Sequence, residues 1–590
     1  MARRMMNVED ISIRRAGHPR TDAAPALAGL ARAVRLAGLI GAALLCAACT
    51  VGPDFKSPDA GTPADYADRQ RAPQPPVASV TQNTDPDPQW WHGFNDPVLD
   101  SLIDRAIAGN LTLRQAVLRI VAARQQARAA GARGLPQING TGSYTYQKLG
   151  AKGILESRGI PGKIDRLGDA DSPLNDIAPD AGAQASSAGK QFLDEVDKPV
   201  NLYMLGVDAS WELDLFGRVR RGVEAANAQT ESALEDRNDA LVSLEAEVAR
   251  TYATLRGAQL LDSIAREEVR VSQDTLDLTR SRQQSGLASQ TDVERADAQL
   301  GAVAAQLPQF EQQAAQALNA LALLLGQPPG TLDAELSSAG GVPPVPPVVP
   351  VGLPASLARR RPDIRRAEAD LHAATAQVGE SIAELFPDLS LTGQFGFRAT
   401  QASYLTRWAS HFYSVGPQVS LPIFQGGALR AQVAIAKADQ AASVLNYRQT
   451  VLSALRDVDD ALVRYRTDQA RQATLQRVTD ANARAFDLAR NGWRNGLNSF
   501  IDVLDTERQL SDSRVQLAQQ QVQVTTDLVA LYKSLGGGWQ GHEIDPARLG
   551  DAAVQTEAAL LAGEGAPKRE DGKDVTAPPR VIEGAPGSVR

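Results

Sequence analysis

Apolar positions along this chain follow two different periods, and the whole pattern occurs twice. In two long stretches they step by three and four. Leu241, Leu244, Val248, Tyr252 and Leu255 form one such series, and Val451, Leu455, Val458, Leu462 and Tyr465 the other. That spacing gathers them on one stripe of a long helix able to pack in a coiled coil. Four shorter segments alternate with period two. Ile138, Tyr144 and Tyr146 share a face, with Asn139, Thr141, Ser143 and Thr145 on the other. Tyr203, Leu205, Val207, Ala209, Trp211 and Leu213 oppose Asp208, Ser210 and Glu212. Leu389, Leu391, Phe395 and Phe397 oppose Ser390, Thr392 and Gln394, and Tyr413, Val415, Val419 and Leu421 oppose Ser414, Gln418 and Ser420. Each segment is about ten residues, long enough to cross a bilayer as a tilted strand. One face is apolar and aromatic and the other small and polar, as a wall between lipid and a wet lumen requires. A half-buried soluble sheet would show the same alternation.

A shift of 210 lays Arg220 on Arg430, Leu241 on Val451, Gly286-Leu287 on Gly496-Leu497, Asp292-Val293 on Asp502-Val503 and Leu325-Gly326 on Leu535-Gly536. A shift of 251 lays Leu135-Pro136-Gln137-Ile138 on Phe386-Pro387-Asp388-Leu389. The chain is therefore a tandem duplication. Each copy reads helix, strand, strand, long helix, tip, helix. The first repeat, 98–340, predicts helices at 98–133, 220–282 and 291–325 and strands at 137–147 and 203–213. The second, 355–540, predicts helices at 355–385, 430–490 and 501–535 and strands at 388–397 and 412–422, with Arg361-Pro362-Asp363 as a helix start. A Pro-rich linker, 341–354, joins them and should be extended. A long helix of this kind spans ~95 Å, and two shorter helices stacked end to end match it. Four strands cannot close a barrel, and open edges are not tolerated in lipid, so any barrel must be shared between protomers. The polar stretch 149–199, between the first two strands, reads as an extracellular loop, and 399–411 as a shorter one.

Composition narrows the function by subtraction. The 590 residues carry a formal net charge of −8, which argues against a nucleic-acid partner. The two cysteines, Cys46 and Cys49, both lie near the N-terminus, so the remainder has no disulfide or thiolate metal site. His18, His92, His372, His411 and His542 are scattered without metal-ligand spacing. No nucleophile elbow, phosphate loop or dinucleotide fingerprint appears. The reading is no enzyme, no catalytic residue, no cofactor and no metal. Residues 36–48, LAGLIGAALLCAA, are too short to span a membrane and follow Arg32 and Arg35. With small residues before Cys49, 1–48 reads as a signal peptide and Cys49 as a lipidated new N-terminus bearing acyl chains. Plain cleavage by ordinary signal peptidase is the other possibility. Residues 49–97 then form an N-terminal arm, and 541–590, polar with Gly and Pro, a disordered tail.

An ordered string of motifs carries a family resemblance. It runs from Cys49 and Val51-Gly52-Pro53-Asp54-Phe55 through Trp90-Trp91, Phe94 and Asp96-Pro97 to Leu135-Pro136-Gln137. It continues with Trp211-Glu212-Leu213-Asp214-Leu215-Phe216-Gly217, Arg361-Pro362-Asp363-Ile364 and Asp502-Val503-Leu504-Asp505. Over roughly residues 49–540 the chain resembles the TolC-like outer-membrane factors, in their NodT- or OprM-like lipoprotein branch. The resemblance implies a mixed α and β fold. In it a homotrimeric 12-stranded transmembrane β-barrel, four strands per protomer, continues into a 12-helix periplasmic α-barrel. It implies a passive exit duct in the outer membrane, fed by a periplasmic adaptor (a membrane fusion protein) and an inner-membrane pump of RND type, passing small molecules such as drugs.

Two sets of residues then become candidates. Gly286 and Leu287, and Gly496 and Leu497, sit at equivalent helix tips. Glycine lets the chain reverse there, and the resemblance makes the tips the docking spots for the adaptor. Asp502 and Asp505 lie three apart on one helix face. Acidic side chains suit a helix N-terminus in any protein. In the family, acidic residues in this string line the periplasmic gate. Members often carry arginine two residues after the tip glycine, and Asn498 stands there instead, so the latch must differ. Asp292 and Arg295, the counterparts of Asp502 and Asp505, could supply a cross-helix partner. Heavy-metal efflux fits the same architecture, but Met204 is the only methionine after the leader. Type I protein secretion is a further option, and a periplasmic coiled-coil lipoprotein scaffold is the alternative of a different class.

Overall fold

The computed structural model describes residues 50–68, 79–148, 150–338 and 340–545. The signal segment 1–48, Cys49 and the tail from 546 lie outside the described residues. A short strand β1 (Val80–Gln82) precedes α1 (Pro97–Gly109) and α2 (Leu111–Ala132), which lead to β2 (Gln137–Gln147). Between β2 and β3 (Val200–Glu212) come α3 (Ala151–Ser157), α4 (Ile160–Leu167) and α5 (Ala181–Val196). Then follow α6 (Arg218–Gln284), α7 (Gln290–Ala304), α8 (Leu307–Leu324) and β4 (Val348–Pro350). The second repeat has α9 (Pro354–Arg360), α10 (Pro362–Ala383), β5 (Asp388–Ala399), β6 (His411–Ser420), α11 (Ala428–Arg494) and α12 (Phe500–Ser534).

The long helices α6 and α11 have 67 residues each, which gives ~100 Å at ~1.5 Å per residue. Three helices expected as single rods are broken in two. Asn110 takes an extended backbone between α1 and α2, and its Oδ1 accepts from the amide of Leu113 at 3.0 Å, capping α2. Pro308, in the first turn of α8, has no N–H to continue α7. Pro362 forces Arg361 into an extended conformation, so α9 stops there and α10 begins. The segment 149–199 is not a plain loop, since it carries α3 to α5. Nor is all of 541–590 loose. The Arg237 guanidinium donates to the His542 carbonyl at 2.9 Å, fixing the chain there against α6.

The four long strands form an antiparallel sheet in the order β2-β3-β5-β6. Gln147 pairs with Val200 at the hairpin end, Glu212 with Ser390 between the repeats, and Asp388 with Ser420. This sheet has no protein core beneath it. Residues 137–146 of β2 are exposed throughout. Tyr144, Tyr146, Leu205, Tyr413, Val415 and Val419 stand uncovered, and among the described residues no large apolar side chain of the four strands is buried. A half-buried soluble sheet would cover one face with protein. Here the apolar face is left without protein cover among the described residues.

The core sits instead among the helices. Trp90, Trp91, Phe94 and Leu99 pack with Leu241, Tyr252, Val458, Tyr465, Leu528 and Tyr532. Trp90 stacks on Tyr532 at 5.0 Å between ring centres. The Pro-rich linker is drawn into this level: β4 pairs in parallel with β1, and Val349 and Val351 are buried. Two smaller apolar clusters continue toward the tips. The helices therefore have one thick packed level, and beyond it they hold together through narrow seams.

Candidate functional site: helix tips, gate helix and N-terminal arm

Both tips are built the same way from similar sequence. After α6, Gly286 takes φ +74°, and its amide donates to the Gln283 carbonyl at 2.9 Å. The Leu287 amide reaches back to the Arg282 carbonyl at 2.8 Å. After α11, Gly496 takes φ +76°, with Gly496 and Leu497 bonded to Trp493 and Gly492 at 3.0 and 2.8 Å. This paired closure needs a left-handed residue, and glycine adopts it without strain. The residue after such a glycine commonly packs back on its helix. Here Leu287 is 71% exposed and Leu497 80%. Both leucines therefore stand out from glycine turns toward solvent.

Each tip then starts its return helix with a reciprocal cap. The Ser289 and Ser499 amides donate to the carboxylates of Asp292 and Asp502, and the serine hydroxyls accept from the aspartate amides. Asp502 is thus partly engaged in capping. Asp505, one turn on, is exposed and makes no hydrogen bond or ion pair among the described residues. Within the single chain, Arg295 lies 4.0 Å from Asp292 on its own helix.

Arg282 escaped the sequence reading. Its guanidinium donates to the carbonyls of Trp493 at 2.7 Å and Arg494 at 3.3 Å, and lies 4.5 Å from the centre of the Trp493 ring. Those carbonyls belong to the last turn of α11, where the helix dipole favours a cation. The two tips of one chain are therefore tied together. The counterpart of Arg282 in the second repeat is Gly492, and Asn498 lies against it. A Cβ built there would sit 2.6 Å from the Asn498 amide nitrogen. The signal was an arginine in one repeat aligned with a glycine in the other.

The N-terminal arm follows the helices from the foot of the sheet. The Val51 amide donates to the Phe216 carbonyl at 3.1 Å, just past β3, and Gly217 packs on Thr50. Buried Arg221 donates to the Val51 carbonyl at 3.3 Å and to Asp54 at 2.7 Å. Phe55 stacks on His372 with ring centres 4.4 Å apart, and Asp68 holds Arg466 at 2.8 Å. Cys49 itself lies outside the described residues, but its neighbour Thr50 is held where strand becomes helix. Among the described residues no cluster of metal-ligating side chains occurs, and no helix is long and apolar enough to cross a membrane.

A family model described as outer membrane efflux protein matches residues 102–327 and 353–537. Nodulation protein T of Rhizobium leguminosarum bv. viciae is 30% identical over 521 residues, covering 88% of this chain and 96% of that protein. The toluene efflux pump outer membrane protein TtgC of Pseudomonas putida is 30% identical over 507 residues, covering 84% and 94%. The solved structure of the outer-membrane channel OprN superposes with a TM-score of 0.69 at 35% identity, over 83% of this chain and all of that one.

Removing the Arg282 side chain should free the two tips from each other. Arg282→Ala is expected to cost about 1 kcal/mol locally, a several-fold rise in tip opening. Amide hydrogen exchange of 488–500 reads it, and unchanged exchange would show that the tie carries no weight.

Proposed function

The chain belongs to the outer membrane efflux protein family, and from that premise we propose that three copies build one duct reaching from the outer membrane toward the inner one. The protein is an outer-membrane efflux channel and not an enzyme. Each copy supplies four strands to a 12-stranded barrel and its helices to a 12-helix tunnel. The observation that carries this reading is the sheet: among the described residues it has two unpaired edges, β2 and β6, and an apolar face with no protein cover. Neither is tolerable in a monomer in lipid.

As a pump component the duct works with a periplasmic adaptor and an inner-membrane pump, here of RND type. The adaptor docks at Gly286-Leu287 and Gly496-Leu497, supported by the exposure of both leucines on rigid turns. The cargo is small organic molecules such as drugs, as the names of the solvent and toluene pump relatives suggest. Asp502 and Asp505 line the periplasmic end, where three-fold symmetry gathers six carboxylates that hold cations and repel anions. Cys49 carries the lipid. The fixed position of Thr50 at the foot of β3 supports this, since acyl chains there would start level with the inner leaflet.

Native mass spectrometry in detergent should return a trimer, and a stable monomer containing a closed barrel would overturn the shared-barrel reading. In planar bilayers the duct should show a small, cation-selective conductance blocked by divalent ions from the periplasmic side. Replacing both Asp502 and Asp505 with alanine should abolish block and selectivity while leaving the trimer intact. Wild-type behaviour of that double variant would place the constriction elsewhere. Mass spectrometry of the mature N-terminal peptide should find Cys49 first, acylated on sulfur and amine; an unmodified cysteine would refute the anchor.

A further inference from the structure

The seam between the two helical hairpins of one chain is apolar at two levels and polar between them. Toward the packed level, Leu261 and Ala265 of α6 meet Ala518 of α12 and Phe310. Toward the tips, Leu276 of α6 meets Phe500, Val503 and Leu510 of α12, with Phe486 and Trp493. Glu268 and Ser272 stand between these clusters on α6; on α12 Ser511 stands between them, and Glu507 lies one turn nearer the tip, between Val503 and Leu510. Each pair is four residues apart, so both members face the same way from their helix. The helices run antiparallel, and the pairs therefore cross. The Ser272 hydroxyl donates to Glu507 Oε1 at 2.6 Å, and the Ser511 hydroxyl donates to Glu268 Oε2. All four are buried, the glutamates at 6% and 7% exposure. Glu268 Oε1 and Glu507 Oε2 accept no hydrogen bond, and both residues line a cleft of about 210 Å³ that also receives Arg490 and Arg514.

We propose that these two reciprocal serine–glutamate bonds are a positioning clamp that sets the register of α12 against α6, and with it the closed position of the gate. The inference rests on the reading of Asp502 and Asp505 as the gate. Glu507 lies two residues beyond Asp505 on the same uninterrupted helix, so whatever holds Glu507 holds the gate carboxylates too. An apolar layer would tolerate sliding by a helical turn. A polar layer does not, because a turn one way sets Glu507 against Leu276 and Glu268 against Val515 without donors, and a turn the other way sets the two carboxylates against each other. The clamp is also a weak closure. Burial pushes both glutamates toward higher pKa, against the serine bonds and the arginines. Half-satisfied buried carboxylates hold a seam less firmly than packed leucines would. Once the tips are pulled apart, water reaches the two unpaired oxygens and the seam has little to lose. Glu268, Ser272, Glu507 and Ser511 thus favour one register while leaving it breakable.

The test exchanges the partners. Spin labels at Asp274→Cys on α6 and Asp512→Cys on α12, both exposed positions, report the register by pulsed electron resonance in the trimer. Bilayer recordings of the same variants without labels report the gate. Ser511→Ala and Ser272→Ala each leave a buried carboxylate without its donor. Each should broaden the distance distribution and raise the resting conductance about tenfold. The swapped variant Glu268→Ser with Ser511→Glu rebuilds the bond in the opposite sense. It should restore both the narrow distribution and the low conductance, with the trimer intact throughout. Single variants with wild-type distances would overturn the clamp. So would a trimeric swap that stays as broad and leaky as the singles. A broadened distance with unchanged conductance would uphold the clamp and sink the gate reading instead.

Discussion

The unsatisfied edge of a β-sheet governs this molecule. Strands β2 and β6 each present a row of backbone donors and acceptors with no strand partner on the outer side among the described residues. In hydrocarbon such a row costs several kcal/mol for each unsatisfied group, and only another strand relieves it. The sheet also lacks a core, because its apolar side chains face outward in the single protomer. In the proposed assembly both deficits are met together, by a neighbouring copy at each edge and lipid on one face. The strand–helix joints then turn the chain from the sheet into the long helices. Gly217 and Gly427, at φ +88° and +89°, make these turns at the starts of α6 and α11. A side chain at either would be strained, so glycine is needed where strand gives way to helix.

Duplication gives two nearly equal backbones, and the side chains of the copies differ at a few tip positions. Both tips share the glycine closure, the exposed leucine and the serine–aspartate cap. Only the first carries Arg282 and only the second carries Asp505, with Gly492 and Arg295 at the matching positions. One repeat therefore supplies the cation that ties the tips, and the other supplies the free carboxylate. A symmetric scaffold becomes a one-sided device through a few substitutions, which leave the backbone rules of each tip untouched.

Apolar packing is distributed unevenly along the helices. The thick cluster of Trp90, Trp91, Tyr252, Tyr465 and Tyr532 holds the helices at one level. The arm from Thr50 to Asp68 straps the outside of the helices by way of Arg221, His372 and Arg466. Beyond that level the apolar contacts thin to two small clusters separated by buried serine and glutamate. Segments with few buried apolar contacts open at low cost. The tips sit at the far end of that gradient.

Much of this was legible in the sequence because it depends on local period and on residues with unique backbone chemistry. Period-two and heptad patterns located the four strands and the long helices, since side-chain direction follows directly from them. The internal repeat exposed the two tips, and glycine marked their turns. Sequence was weaker where tertiary contacts outvote periodicity. Asn110 and Pro308 break helices that their apolar spacing alone would continue. The segment 149–199 forms helices that its polar content did not announce, stabilised by contacts such as Lys190 with Asp165. Arg282 reaching the carbonyls of Trp493, and Ser272 meeting Glu507, join residues more than two hundred positions apart. No local period encodes such a meeting. It arises only when two antiparallel hairpins pack, because burial in that seam decides which polar groups must find each other.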